Sequence, residues 1–226
     1  MPFQNEYKLD NPVWHSLNEE HARLSINFDG LKCYHPDYCS FCAYENGRMG
    51  PGQINEYALL INEFFIVGEK QELSFGLNLK KELICFQMTI DKKFELDNHA
   101  RILLLSGQFE RDLFELVNLV QPGYFRPKTS SMGEYYGIFE DGILVAAAGE
   151  RMKMNSFTEV SAIVTHPHFR KKGFARQLTG HVVNKVLDEG KMAYLHVAET
   201  NAAAIRLYQN LGFSIRRKIS FWNFMK

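Results

Sequence analysis

What the sequence lacks narrows its class before any motif is read. Its 226 residues carry no formal net charge, with 26 Lys and Arg set against 26 Asp and Glu. A dedicated nucleic-acid or anionic-membrane binder needs a broad basic surface, so the balance argues against both partners. No apolar run is long: Ile143-Leu-Val-Ala-Ala-Ala148 stops far short of the roughly 20 residues a bilayer helix needs. The opening residues Met1-Pro-Phe-Gln-Asn-Glu-Tyr-Lys-Leu-Asp10 are polar and mixed in charge, unlike a secretory leader, so the expected location is the cytoplasm.

Cysteine is scarce too, limited to Cys33, Cys39, Cys42 and Cys85. Three of them lie near His35, with Cys39-Ser-Phe-Cys42 as a C-x-x-C pair. Structural zinc needs four thiolate or imidazole ligands, usually as two pairs on separate turns. His35 is followed by Pro36, and no second such pair exists in the chain. Reduced thiols in a partly buried turn are therefore expected, and neither a metal site nor a disulfide framework.

What is present is ordinary globular composition, 46% hydrophobic and 23% charged. The length suits one large domain or two small ones. Patterns in the first hundred residues are weak. Ile54–Val67 reads as a short helix or strand and Leu83–Ile90 as a strand, while Gly30, Asn46-Gly47 and Gly50-Pro51-Gly52 mark turns. The charged stretch Asp91–His99 suggests a boundary, giving a region 1–98 and a domain 99–226.

Beyond that boundary the periodicities sharpen. Ile102–Leu105 reads as a buried strand, and Phe109, Leu113, Leu116, Val117 and Val120 recur at helical spacing up to Pro122-Gly123. Tyr135–Phe139 and Ile143–Ala148 flank Asp141-Gly142 as a hairpin, and Thr158–Thr165 is a further strand. Phe174, Leu178, Val182, Val183, Val186 and Leu187 make a helical stripe stopped by Gly190. Tyr194–Ala198 reads as a strand, and Asn201 caps a short helix through Tyr208. Phe213–Ile215 and Ile219–Phe224 read as two closing strands around a solvated Arg216-Arg217-Lys218 turn. The order β-α-β-β-β-α-β-α-β-β predicts an α/β (α+β) fold, a mixed sheet flanked by helices.

One stretch breaks the charge balance. Arg170, Lys171, Lys172 and Arg176 surround Gly173 where a strand gives way to a helix. A helix start leaves N–H groups unpaired and carries partial positive charge, so it normally favours Asp or Glu. A cationic first turn is costly there unless an anion arrives, and glycine lets that anion approach the backbone. The spacing is neither that of a phosphate-binding G-x-x-x-x-G-K-[ST] loop nor that of G-x-G-x-x-G. The turn reads as a pyrophosphate cradle, with a merely solvated basic turn as the alternative.

Arg170-Lys-Lys-Gly-Phe-Ala175 resembles the R/Q-x-x-G-x-G/A signature of the GNAT acyl-CoA N-acyltransferases, with Ala175 in place of the second glycine. Asn201-Ala-Ala-Ala-Ile-Arg-Leu-Tyr208-Gln-Asn-Leu-Gly-Phe213 resembles the second motif of that family, N-x-x-A-x-x-L-Y-x-x-x-G-F. Pro122-Gly-Tyr-Phe125, Gly133-Glu-Tyr-Tyr-Gly137, Ala148-Gly-Glu-Arg-Met152 and Thr165-His-Pro167 look like the glycine N-acyltransferase-like branch. The resemblance covers residues 100 to 226 and, before them, little more than Gln87-Met88.

The resemblance implies a GNAT-type mixed central sheet preceded by a smaller α/β region that lines the acceptor pocket. Strands Glu159–Thr165 and Ala193–Ala198 would splay, and the arm of acetyl-CoA or another short acyl-CoA would lie between them. Backbone groups of Ile163, Val164 and Thr165 would hold that arm, with the Ile163 N–H at the thioester oxygen. Arg170, Lys171, Lys172, Gly173, Phe174, Ala175 and Arg176 would hold the pyrophosphate, and Asn201 and Ala204 would lie by the arm. Glu159 would take the proton of the amine, with Glu150 as runner-up, and Tyr208 would protonate the departing thiolate. His166 and His196 flank the cleft strands, where either could contact substrate; a histidine on a strand is more often structural, so neither is counted as catalytic. The implied acceptor is a small primary amine or amino acid. The alternatives are an amine on a protein, or a regulator that binds acyl-CoA without turnover; the oligomeric state, including a homodimer, is left open.

Overall fold

Among the described residues, eleven strands pair edge to edge into one mixed sheet. The computed structural model describes residues 5–45, 53–69, 76–95 and 100–226. From the first hundred residues come β1 (Ser25–Phe28), β2 (Leu31–Tyr34), β3 (Phe41–Tyr44), β4 (Glu63–Val67) and β5 (Asn78–Ile90). The remainder supplies β6 (Ile102–Leu104), β7 (Tyr135–Glu140), β8 (Ile143–Lys153), β9 (Phe157–Thr165), β10 (Met192–Ala198) and β11 (Ser214–Met225). Their order across the sheet is β1-β2-β3-β4-β11-β5-β10-β9-β8-β7-β6. Strand β5 thus sits between β10 and β11, and β11 carries the sheet on to β4, so the two regions share one continuous ladder.

The helices are α1 (Pro12–Asn18), α2 (Gln53–Tyr57), α3 (Glu110–Val120), α4 (Phe174–Asp188) and α5 (Ala202–Asn210). Helix α4 buries Leu178, Val182, Val183 and Val186 against Ala146, Ala148, Val160 and Leu195 of the sheet. Helix α3 buries Leu113, Leu116 and Val117 against Leu144, Ala147 and Val164. Neighbouring strand residues point to opposite faces, so the alternation of Ala146, Ala147 and Ala148 puts α3 and α4 on opposite sides. Among the described residues no helix is long and apolar enough to cross a membrane.

The mixed sheet flanked by helices is the architecture that the element order predicts. Ile54–Val67 holds both readings in turn, α2 and then β4. Gly30 does turn the chain, at φ 70 between β1 and β2, whereas the turns expected at Asn46-Gly47 and Gly50-Pro51-Gly52 lie outside the described residues. Two expectations are corrected. Phe213–Ile215 and Ile219–Phe224 are not separate strands: β11 is continuous, and Arg216 is absorbed as a bulge between Ile215 and Arg217. The basic run needs no turn because Arg216 reaches Gln87 and Asp10, and Lys218 reaches Glu199. Nor are all four thiols free. Cys33 and Cys42 face each other across β2 and β3, Cα atoms 4.0 Å apart, and are joined as a disulfide. Cys39 and Cys85 are free and buried.

Close packing under the β7–β8 hairpin constrains one glycine severely. A Cβ on Gly149 would meet the Tyr135 ring at 2.3 Å and the Glu134 carbonyl at 2.7 Å. The ring is buried and one obstacle is backbone, so neither can retreat. Gly149→Ala should destabilise the protein by about 1–3 kcal/mol, read as a lower urea midpoint with an unchanged slope.

Candidate active site

Strands β9 and β10 run parallel and pair only at Phe157–Glu159 with Met192–Tyr194. Beyond Glu159 each stays with its outer neighbour, β9 with β8 up to Thr165 and β10 with β5 up to Ala198. The two therefore part from each other. Where they separate, β9 bulges: Gly149 pairs with Ser161 but Ala147 with Val164, and Ala162 takes φ 51. A left-handed alanine costs about 1–2 kcal/mol. The bulge leaves residues 162 and 163 without a partner in the ladder beside the gap.

A cavity of about 270 Å³ opens there. Glu159, Ser161 and Ile163 line it from β9 and His196 and Ala198 from β10. Arg151 enters from β8, and Asn201 and Tyr208 from the start and body of α5. The N-terminal region contributes Phe41, Leu83 and Cys85, and Tyr124 and Phe221 complete the apolar side.

Glu159 is fully buried, and its carboxylate accepts a two-pronged bond from Arg151, Nε to Oε2 at 2.7 Å and NH2 to Oε1 at 2.8 Å. His196 Nδ1 lies 2.8 Å from Oε1 as well. Burial by itself would raise the carboxyl; the Arg151 charge and fork, with His196, outweigh it and hold Glu159 at about 2. The tautomer of His196 follows from Gln87. The Gln87 carbonyl accepts from Arg216 at 3.0 Å and its amide donates to the Leu9 carbonyl at 2.8 Å, so the NH2 end is the one 3.2 Å from His196 Nε2. Nε2 must accept, the proton sits on Nδ1, and His196 donates to Glu159.

Tyr208 is 7% exposed, and burial pushes its phenol above the usual range, so it stays protonated. Asn201 caps its helix by accepting from the Ala204 N–H at 3.2 Å. The basic turn follows the far end of β9. Lys171 and Gly173 take φ 65 and 80, and α4 begins without a side-chain cap, which leaves its first N–H groups to another partner. Lys172 pairs with Glu140 and lies over the Phe169 ring.

The residues expected at the site thus fall into groups. Glu159, Ile163, Asn201 and Tyr208 share one cavity. Arg170, Lys171, Lys172, Gly173, Ala175 and Arg176 form the turn and first helical turn beyond it. The side chains of Val164 and Phe174 are buried in the packing of α3 and α4, leaving only their backbone to act, while Thr165 ends β9. Glu150 is buried away from the cavity, held by Lys153 at 2.6 Å and the Glu134 N–H at 3.1 Å. Arg151 is the member that sequence reasoning missed. The available signal was its charge: closing the β8–β9 hairpin about Asn155 sets it opposite Glu159.

Residues 135–222 match the family model described as FR47-like protein. A crystal structure of a GNAT-family protein from Novosphingobium aromaticivorans, described as an acetyltransferase, shares 30% identity and a TM-score of 0.85. That match covers 96% of this chain and 98% of the other. The chain belongs to the GNAT family. An N-acetyltransferase-like protein from Streptococcus suis shares the fold, at 13% identity and TM-score 0.64 over 96% of each chain. The alanine N-acetyltransferase of ribosomal protein bS18 from Salmonella typhimurium is 33% identical over 79 residues, which are 31% of this chain. This chain spans 53% of that relative's length. Within this GNAT chain, both sequence motifs fall at the parting strands: the basic turn at the end of β9, and the Asn201–Tyr208 helix directly after β10.

Proposed function

We propose that the protein transfers an acyl group, most simply acetyl, from acyl-CoA to the amine of a small molecule or amino acid, as the glycine N-acyltransferase-like branch does. The observation that carries this reading is the single cavity in which the β9 bulge, the Glu159 carboxylate and the Tyr208 phenol meet. The pyrophosphate is assigned to the backbone of Lys171–Arg176, and the arm to Ile163–Thr165, Asn201 and Ala204. The amine attacks the thioester carbon, a C–N bond forms and the C–S bond breaks. The Ile163 N–H would face the carbonyl oxygen as charge develops on it, Tyr208 gives its proton to the thiolate, and the proton shed by the new amide nitrogen restores the phenol through solvent. Glu159 is the acid-base candidate for the ammonium proton. Because Arg151 and His196 occupy its oxygens and hold it at about 2, Glu159 acts by orienting water at the cavity mouth, and the proton passes through that water to solvent.

The acceptor assignment is supported by the cavity's small volume and by Phe41, Leu83 and Cys85, which make residues 1–98 one wall of it. The Arg151–Glu159 pair leaves the floor near neutral, so it favours neither a polyanionic nor a polycationic acceptor. The test is thiol release from acetyl-CoA with a panel of amines, alongside thermal unfolding with ligand. Acetyl-CoA at a hundred times its Kd should stabilise the fold by about 2.7 kcal/mol, far more than inorganic phosphate at equal concentration. Equal protection by phosphate, with no thiol released by any amine, would sink the reading. Turnover of peptides alone would move the acceptor to a protein amine, which is the substrate named for the Salmonella relative.

A further inference from the structure

The catalytic cavity has a neighbour on the other side of its apolar wall. Tyr124 also lines a second cavity of about 360 Å³, together with Phe65, Glu63, Lys80, Lys81 and Arg126. The partition between the two is thin and aromatic. Phe41 stands on the catalytic side, 5.7 Å between centroids from Phe65 on the other, and the Phe65 ring lies 5.5 Å from that of Tyr124.

Strand β5 runs along both cavities. Cys85 and Leu83 line the first and Lys81 the second. Alternate strand residues share a face and rise about 3.4 Å each, so Lys81 lies roughly 13 Å along the strand from Cys85. Opposite this end of β5 the register slips between Asn223 and Phe224, which pair with Lys81 and Leu79. Lys80 is the extra residue of that bulge, which is why two consecutive lysines reach one cavity.

Charge in the second cavity is unbalanced. Lys80 is answered by Glu63 at 3.0 Å. Lys81 and Arg126 form no ion pair among the described residues, and Arg126 spends its Nε on the Pro36 carbonyl at 3.1 Å. Three cations, Lys80, Lys81 and Arg126, against the single carboxylate Glu63 leave this lining net positive beside the shared Tyr124 ring, which favours an anion there.

We infer that the acceptor carries, besides its reacting amine, a remote carboxylate or phosphate that docks past Tyr124 on Lys81 and Arg126, with Lys81 roughly 13 Å along β5 from Cys85 of the catalytic cavity. This rests on the acyltransferase reading above and narrows its substrate class to elongated amines with a terminal anion.

The experiment compares straight-chain ω-amino acids, the matching ω-aminoalkyl phosphates and uncharged alkylamines of equal length. The expected result is at least a tenfold advantage in kcat/KM for the anionic amines, which emerges only at chain lengths near that spacing. The advantage should disappear, through KM rather than kcat, in Lys81→Met/Arg126→Met and in the charge reversal Lys81→Glu. Carboxylate and phosphate arms distinguish the two anions. Alkylamines that match their anionic partners at every length, or an advantage that survives both variants, overturn the inference while leaving the acyltransferase reading intact. Should no amine turn over, calorimetry on the CoA-bound protein decides it. Binding of the ω-amino acid that weakens tenfold or more in the double variant supports the inference; no binding, or unchanged binding, refutes it.

Discussion

Tyr208→Phe should slow turnover by about a hundredfold or more while leaving acetyl-CoA affinity unchanged. The substitution removes one oxygen and nothing else. The ring stays wedged edge-on against Phe213, centroids 5.9 Å apart, and keeps its place on α5. The lost group is a phenol that burial holds in its protonated form, suited to donate to a departing thiolate. An unprotonated thiolate leaves less readily, so the penalty falls on the chemical step, whereas the pyrophosphate grip proposed at the start of α4 does not involve the phenol. Saturating-substrate kcat together with equilibrium CoA binding separates the two. Equal turnover by both proteins would return Tyr208 to a packing role, and a parallel fall in CoA affinity would mean that its hydroxyl binds the arm.

Legibility in the sequence tracks how local the determining contacts are. Helices α3 and α4 were readable because their apolar stripes repeat within one element, and the β7–β8 hairpin because Asp141-Gly142 is its own signal. Strands β2 and β3 were not. Their residues are almost all buried, so they show none of the alternation that marks a one-sided strand, and α2 has too few residues for a helical period. The Arg216–Lys218 run looked like a turn because its partners, Gln87, Asp10 and Glu199, come from elements distant in the chain. The same holds at the cavity. Glu159, Asn201 and Tyr208 stood out by motif and offset, whereas Leu83 reaches it only through the pairing of β5 with β10 and β11, and Phe41 only through β3 with β4 and β4 with β11.

Arg151→Met should cost about 3–5 kcal/mol, because it strands a buried carboxylate without its cation. It should also reverse how stability responds to pH. In the native protein Glu159 is lowered from 4.5 to about 2, which contributes about 3 kcal/mol above the unfolded value. That contribution is complete above about pH 5 and is lost only as acid takes the pH from the unfolded value down through the folded one. Between pH 7 and pH 5 it is flat. With the guanidinium gone, burial becomes the dominant influence and raises the carboxyl, so the folded state now holds a proton that the unfolded state has lost. Relative to the native protein, which shares the buried His21, the variant should therefore gain stability as the pH falls from 7 to 5, the opposite slope to that which Glu159 gives the native protein in acid. Arg151→Met/Glu159→Gln removes the unpaired charge and should recover most of the loss at pH 7, a non-additivity expected of residues in direct contact. Urea unfolding of the native protein, Arg151→Met, Glu159→Gln and the double variant at several pH values reads all of this. An Arg151→Met protein that gains nothing on the native protein from pH 7 to 5, or a double variant no better than Arg151→Met, would show that the fork seen between Arg151 and Glu159 does not hold the buried charge in place.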